Sequence, residues 1–288
     1  MESGWRSYLV GALLLACWAY PRALESQQGW LLRYTPRPGG MTRTVLQAEG
    51  TVVLRDKTGG VLAPDSIVGQ MYRLAGVIRR VVSANAERSV VEVTVDSLRT
   101  RARLLGQSWS ESAIADSMRL PFRVELDNRY RWMSAPPWEA LSAVPEWLGV
   151  EFPAEPVARG GSWNYRTSYR VPAALNALFE LTINGPVEGS VNVVLDSAVA
   201  RLTDTLLYFT VQRHLGPVTL PAVDAGDSAE IAVAGASSGI LVWSTGWQAF
   251  VSGSEQIRLR GNLRGMGREG LREAELTWTV LRRLQLRP

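Results

Sequence analysis

The sequence predicts a mainly β protein: two related curved antiparallel sheets, or half-barrels, with one or two short helices. Three observations lead there. Runs of alternating or β-branched residues recur along most of the 288 residues. Turn formers are plentiful, with 26 Gly and 15 Pro, and they fall between those runs. The runs VEVTVDS at 91–97 and VNVVLDS at 191–197 lie 100 positions apart and read as copies of one strand with a shared Asp-Ser ending.

The N-terminus reads as an export signal covering residues 1–26. Arg6 precedes an uncharged apolar run from Tyr8 to Tyr20, which Pro21 and Arg22 stop. Such a run suits a signal-peptide core and is too short for the ~20 residues of a spanning helix. Its processing has two readings. Leu14-Leu15-Ala16-Cys17 matches a lipobox, which would lipidate Cys17. Ordinary cleavage near Ala19, Ala23 or Ser26 would release the chain. Either way the mature protein is expected outside the cytoplasm, periplasmic or secreted, with membrane attachment only if Cys17 is lipidated.

After the signal, strands are expected at Trp30–Tyr34, Thr44–Leu54, Tyr72–Val82, Ser89–Leu98 and Phe122–Leu126 in a first unit, residues 29–134. A second unit, residues 160–288, holds Trp163–Val171, Leu178–Ile183, Ser190–Val199, Leu206–Gln212, Glu230–Ala234, Ile240–Trp243, Gln256–Leu263 and Ala274–Leu286. Two segments break the alternation. Ser108–Met118 opens Ser-x-Ser-Glu and continues at helical spacing. Pro137–Leu148 has Pro at its first turn and Pro145 to end or kink it, within a connection over 135–159.

Composition excludes several function classes. One Cys and one His exclude a disulfide scaffold and a Cys/His zinc site. The formal charge of +4 is spread along the chain. Arg79-Arg80, Arg99/Arg101/Arg103 and Arg282-Arg283 read as solvated strand faces, so no nucleic-acid partner is expected. Gly235-Ala236-Ser237-Ser238-Gly239 matches a nucleophile elbow, but a strand follows it and His214 lies upstream, so a hairpin turn of small residues is the reading. Gly265–Gly270 matches a dinucleotide loop, yet only 18 strand-like residues follow, and a hairpin loop is expected. Asp224, Asp227 and Glu230 read as a surface turn, and Asp96 and Asp196 as strand-end residues. No metal and no cofactor is expected.

Leu31-Leu32-Arg33-Tyr34, VEVTVDS, FRVELDNRYRWMS and FPAEPVARGGSW at 152–163 together resemble a broad group of uncharacterised secreted bacterial β-rich proteins. Phe152 stands where Leu is usual there, and Arg159-Gly160-Gly161 where one Gly and an acid are. The resemblance implies export and an antiparallel β fold, and brings no catalytic residues.

Tryptophan supplies the candidate site. Trp132, Trp138 and Trp147 concentrate around the expected helix of 137–148, which could cap a curved sheet. The function expected is therefore non-enzymatic binding of an apolar or amphiphilic ligand such as a lipid. The alternatives are a structural or interaction module with an envelope protein partner, and a hydrolase using paired carboxylates.

Overall fold

The computed structural model describes residues 29–57, 67–104, 106–113, 119–133, 150–169, 181–183, 185–224, 227–267 and 270–287. The chain is mainly β. In order its strands are β1 (Met41–Asp56), β2 (Ile67–Ala84), β3 (Arg88–Leu104), β4 (Ser110–Ala113), β5 (Phe122–Asp127), β6 (Ser162–Tyr169), β7 (Leu181–Ile183), β8 (Val187–Ala200), β9 (Thr205–Asp224), β10 (Asp227–Ser244), β11 (Ala249–Gly267) and β12 (Gly270–Arg287).

The strands form one sheet, not two. Its order is β4-β3-β2-β1-β12-β11-β10-β9-β8-β6, with β5 also on β3 and β7 also on β9. β1 joins the halves by pairing along its length with β12, from Arg43 opposite Arg287 to Asp56 opposite Ala274. That pairing satisfies a row of backbone groups on each strand that a two-sheet arrangement would leave open.

Alternation decides which face is buried. On β11, Glu255, Ile257, Leu259, Gly261 and Leu263 are buried, while Ser254, Gln256, Arg258, Arg260, Asn262 and Arg264 are exposed. The sheet curls until strands near its two edges share one core: Val91, Val93 and Val95 of β3 lie in the same cluster as Val191, Val193 and Leu195 of β8. Extended segments around Trp30–Tyr34, Asn128–Trp132 and Val150–Val157 enter that cluster. The Trp30–Val157 bridge, Tyr34 N–H donating to the Asn128 carbonyl at 2.8 Å and Phe152 N–H donating to Arg129 at 2.8 Å hold them together. Trp243 sits at their centre, 1% exposed, with edge-on contacts to Tyr34, Tyr130, Phe152 and Phe250 at centroid distances of 4.9–6.1 Å. Such ring pairs add roughly 0.5–1.5 kcal/mol each beyond burial. A second apolar cluster, including Val52, Met71, Ile231, Leu259 and Trp278, fills the other end of the sheet.

Several expected elements differ. Trp30–Tyr34 is an extended segment with a single bridge. Within the expected helix of 108–118, residues 110–113 are strand β4, because β3 outruns β5 and leaves an open edge. There Ser110 Oγ donates to the Ala102 carbonyl at 2.9 Å, and Glu111 pairs with Arg99 and Arg101. The expected helix at 137–148 lies outside the described residues. Gly235–Gly239 is the middle of β10 and not a turn. Its glycines serve close approach of the next strand, since a Cβ at Gly235 would strike the Arg258 carbonyl oxygen and one at Gly239 the Ser254 carbonyl oxygen. Gly267 pairs with Gly270 across a hairpin, as expected.

Asp96 and Asp196 are bulge residues inside strands, not strand ends. The register passes from Val77 opposite Val95 to Gly76 opposite Ser97, and from Leu195 opposite Phe209 to Ser197 opposite Tyr208. Each carboxylate turns outwards to a partner, Arg43 at 2.8 Å for Asp96 and the Thr210 hydroxyl at 2.7 Å for Asp196. The two runs thus share a local shape. Their connections differ: β3 follows its inner neighbour β2, whereas β8 precedes its inner neighbour β9.

The β8–β9 and β10–β11 turns are clasped by Asp204. Its carboxylate accepts from Ser244 Oγ at 2.6 Å, Gly246 N–H at 2.7 Å and Thr245 Oγ1 at 3.2 Å. Burial alone would raise its pKa, but these donors outweigh burial and hold it below the usual aspartate range. A depressed folded pKa contributes stability above the unfolded value and loses it as pH falls through the folded one. Asp204→Asn is expected to cost about 1–2 kcal/mol near neutrality, with the difference from wild type shrinking below about pH 4 in urea titrations. Gly235→Ala is expected to lower stability by roughly 1–3 kcal/mol in the same assay, since a backbone must shift to admit the methyl.

Candidate functional site: a buried guanidinium belt

Between the two apolar clusters the inner face of the sheet turns polar along one row of neighbours. Tyr165 of β6 lies opposite Val191, Val191 opposite Arg213, and Arg213 opposite Ser237. Ser237 is opposite Ile257, two residues from Glu255 on the same face of β11. Glu255 is opposite Arg282, Arg282 opposite Ala48, Ala48 opposite Arg73, and Arg73 opposite Thr100. Among the described residues this belt carries three guanidiniums and one carboxylate.

The chemistry is tight around Glu255. Arg213 Nε–H donates to it at 2.8 Å and Ser237 Oγ–H at 2.5 Å, all three residues being buried. Burial alone would lower the pKa of Arg213, but Glu255 first and then Tyr165 raise it, so the guanidinium stays charged. Tyr165 is pushed up by burial and keeps its phenol proton. Arg73 lacks such help. Burial lowers it to about 10, and its Nε is buried without a hydrogen-bond partner among the described residues. Trp278 Nε1, deeper in the second cluster, is likewise unpartnered there.

This belt escaped the sequence reading, which placed Arg282-Arg283 on a solvated face. Arg283 is exposed, but Arg282 is only 5% exposed. The signal was phase: Arg282 continues the buried series Ala274, Leu276, Trp278 and Val280, and Arg213 continues Phe209 and Val211.

The expected tryptophan site is described only in part. Trp132 bridges Leu126 and packs half-buried against the first core cluster. Trp138 and Trp147 lie outside the described residues, as does Cys17. Ser237 is no nucleophile elbow: it sits mid-strand and donates to Glu255, while His214 is exposed on the opposite face. Glu255 faces guanidiniums and not a second carboxylate, the arrangement a paired-carboxylate hydrolase would need. Asp224 and Asp227 pair across the β9–β10 hairpin, and Glu230 is exposed.

No protein-family model and no curated protein matches the chain. Among solved structures, an outer membrane channel from Pseudomonas putida F1 aligns at 10% identity over 88% of this chain and 98% of its own, with a TM-score of 0.27. A structure of engineered proteins of asymmetric conductivity aligns at 10% identity over 85% and 100%, with a TM-score of 0.18. Likenesses this low assign neither fold nor function. Membrane barrels turn apolar residues outwards and polar ones inwards. Strand β11 does the reverse, with three arginines on its outer face.

Removing one partner of the central pair leaves a charge stranded in the interior. Glu255→Leu or Arg213→Leu alone is expected to cost about 3–5 kcal/mol in urea unfolding, and the double variant to recover most of that loss.

Proposed function

We propose that the protein is an exported, non-enzymatic binding protein that takes an amphiphile with an anionic head. The head lies on the guanidinium belt and the hydrocarbon tail along the second apolar cluster. The observation that carries this reading is Arg73 on the inner face beside apolar walls, its buried Nε without a hydrogen-bond partner among the described residues. A buried charge without a counterpart is costly, and an anion arriving with a tail would satisfy it. Export rests on the apolar run Tyr8–Tyr20 and its flanks.

A second reading, an interaction module of an envelope complex, draws on the first cluster, where Tyr34, Tyr130 and Phe152 fill the curl around Trp243. Binding of oleate and oleyl alcohol separates the two. The ligand reading expects oleate to bind and the alcohol to bind at least ten-fold more weakly. Arg73→Gln, which removes a desolvated charge and keeps the fold, is expected to erase that preference. Equal binding of both probes, or oleate binding unchanged in the variant, would leave the module reading in its place.

A further inference from the structure

One end of the sheet combines exposed apolar side chains with unpaired arginines. The turns clasped by Asp204 carry Leu202, fully exposed, and Trp247, 52% exposed, with Val199 beside them at 44%. The rim continues from there through two hydrogen bonds. Thr35 N–H donates to Gln248 Oε1 at 2.8 Å, and Gly39 N–H donates to the Val81 carbonyl at 2.8 Å. That brings in Met41, 65% exposed, and Val82, 39% exposed.

Arginines are interleaved with these residues. Arg201 adjoins Leu202, Arg80 lies opposite Met41, and Arg287 opposite Arg43. Arg37 stands in the turn before β1 and Arg88 opens β3. Arg37, Arg80, Arg88, Arg201 and Arg287 are exposed, and none makes an ion pair among the described residues. Acidic groups do little to offset them. Asp204 is taken up by the clasp, Asp127 by Arg131, and Glu92, which lies opposite Arg80, by Arg123 at 3.5 Å; Glu87 is exposed at the β2–β3 turn. Toward the other end, among the described residues, Arg264 pairs with Glu273, Lys57 with Glu275, and Arg99 and Arg101 both with Glu111.

We propose that this end docks peripherally on an anionic lipid surface, Leu202 and Trp247 entering the interface and the arginines meeting lipid phosphates. Trp at the headgroup level and cationic side chains with apolar stems are the residues such an interface favours. A nucleic acid would use the arginines and gain nothing from Leu202. An acidic protein groove would not need the tips of two separate turns. The inference uses none of the belt residues, so it stands apart from the binding reading.

The test is co-sedimentation of the purified protein with vesicles of phosphatidylcholine alone and of phosphatidylcholine mixed with phosphatidylglycerol, with sedimentation velocity of the free protein alongside. Binding is expected to the mixed vesicles only and to fall with added salt. Arg80→Gln and Arg201→Gln are each expected to weaken it about five-fold. Leu202→Asp with Trp247→Glu is expected to weaken it at least ten-fold. Both positions are in exposed turns, and circular dichroism would verify the fold. Ile240→Ser, exposed on the outer face of β10 and four residues before its end, is the control and is expected to bind as wild type. Binding to neither vesicle, equal binding to both, or full binding by the double variant would overturn the proposal. So would a free protein that self-associates through this end, with the double variant turning it monomeric.

Discussion

Strands this long can line one core only if their apolar phase stays on the inner face, and register shifts in several of them accomplish that. In β3 the inward residues are Val91, Val93 and Val95, and unbroken alternation would next turn Ser97, Arg99, Arg101 and Arg103 inwards. The bulge at Asp96 shifts the phase, so Thr100 and Ala102 are buried and Arg99 is exposed. In β9, inward residues run from Leu207 to Leu215 on odd positions. After the register shift opposite Val233 and Gly235 the even positions Leu220 and Ala222 are buried, leaving Pro217, Thr219 and Pro221 outside. In β8 the shift at Asp196 puts Ala198 against the core. A slip of one residue inverts the face of every later side chain. The bulges in β3 and β9 therefore keep several polar or proline residues out of the interior.

Strand identity was legible because alternation is local. Thr44–Leu54, Tyr72–Val82 and Ala274–Leu286 all fall inside observed strands, and Phe122–Leu126 matches β5 within a residue. Glu230–Ala234 and Ile240–Trp243 read as two strands only because Gly235 and Gly239 look like turn residues. Their demand is close packing of β11, which a single sequence does not display. The pairing of β1 with β12 joins residues more than two hundred positions apart, and no local pattern encodes it. Of the tryptophans, Trp243 proved central to the core, though nothing in Leu-Val-Trp-Ser sets it apart from other strand ends.

The belt shows why burial phase is more informative than charge count. Arg213 and Arg283 look alike in sequence, each beside another polar residue at the end of an apolar run. One is 4% exposed and bound to Glu255; the other faces water. Replacing the buried pair by apolar residues would cost little stability in general. Folding alone therefore does not account for an ionic belt in this core. The hydrogen bond from Ser237 and the nearby Tyr165 phenol hold the Arg213–Glu255 pair in one geometry. Arg73, across the sheet, has a buried nitrogen with no such support among the described residues, which is why the proposed anion is placed there.

The two ends of the sheet differ in a way that constrains any joint role. The end bearing Leu202 and Trp247 is filled by Tyr34, Tyr130, Phe152 and Trp243, packed on one another beneath the exposed turns. The belt lies beyond that aromatic layer, beside the second cluster, whose described side chains are aliphatic apart from Trp278. A ligand reaching Arg73 from a docked surface would have to pass the aromatic layer or come round the open edges of the sheet. The proposed lipid docking and the proposed ligand binding therefore draw on different residues, different layers of the core and different charges. Strands β1, β2 and β8–β12 contribute to both clusters and link the two ends.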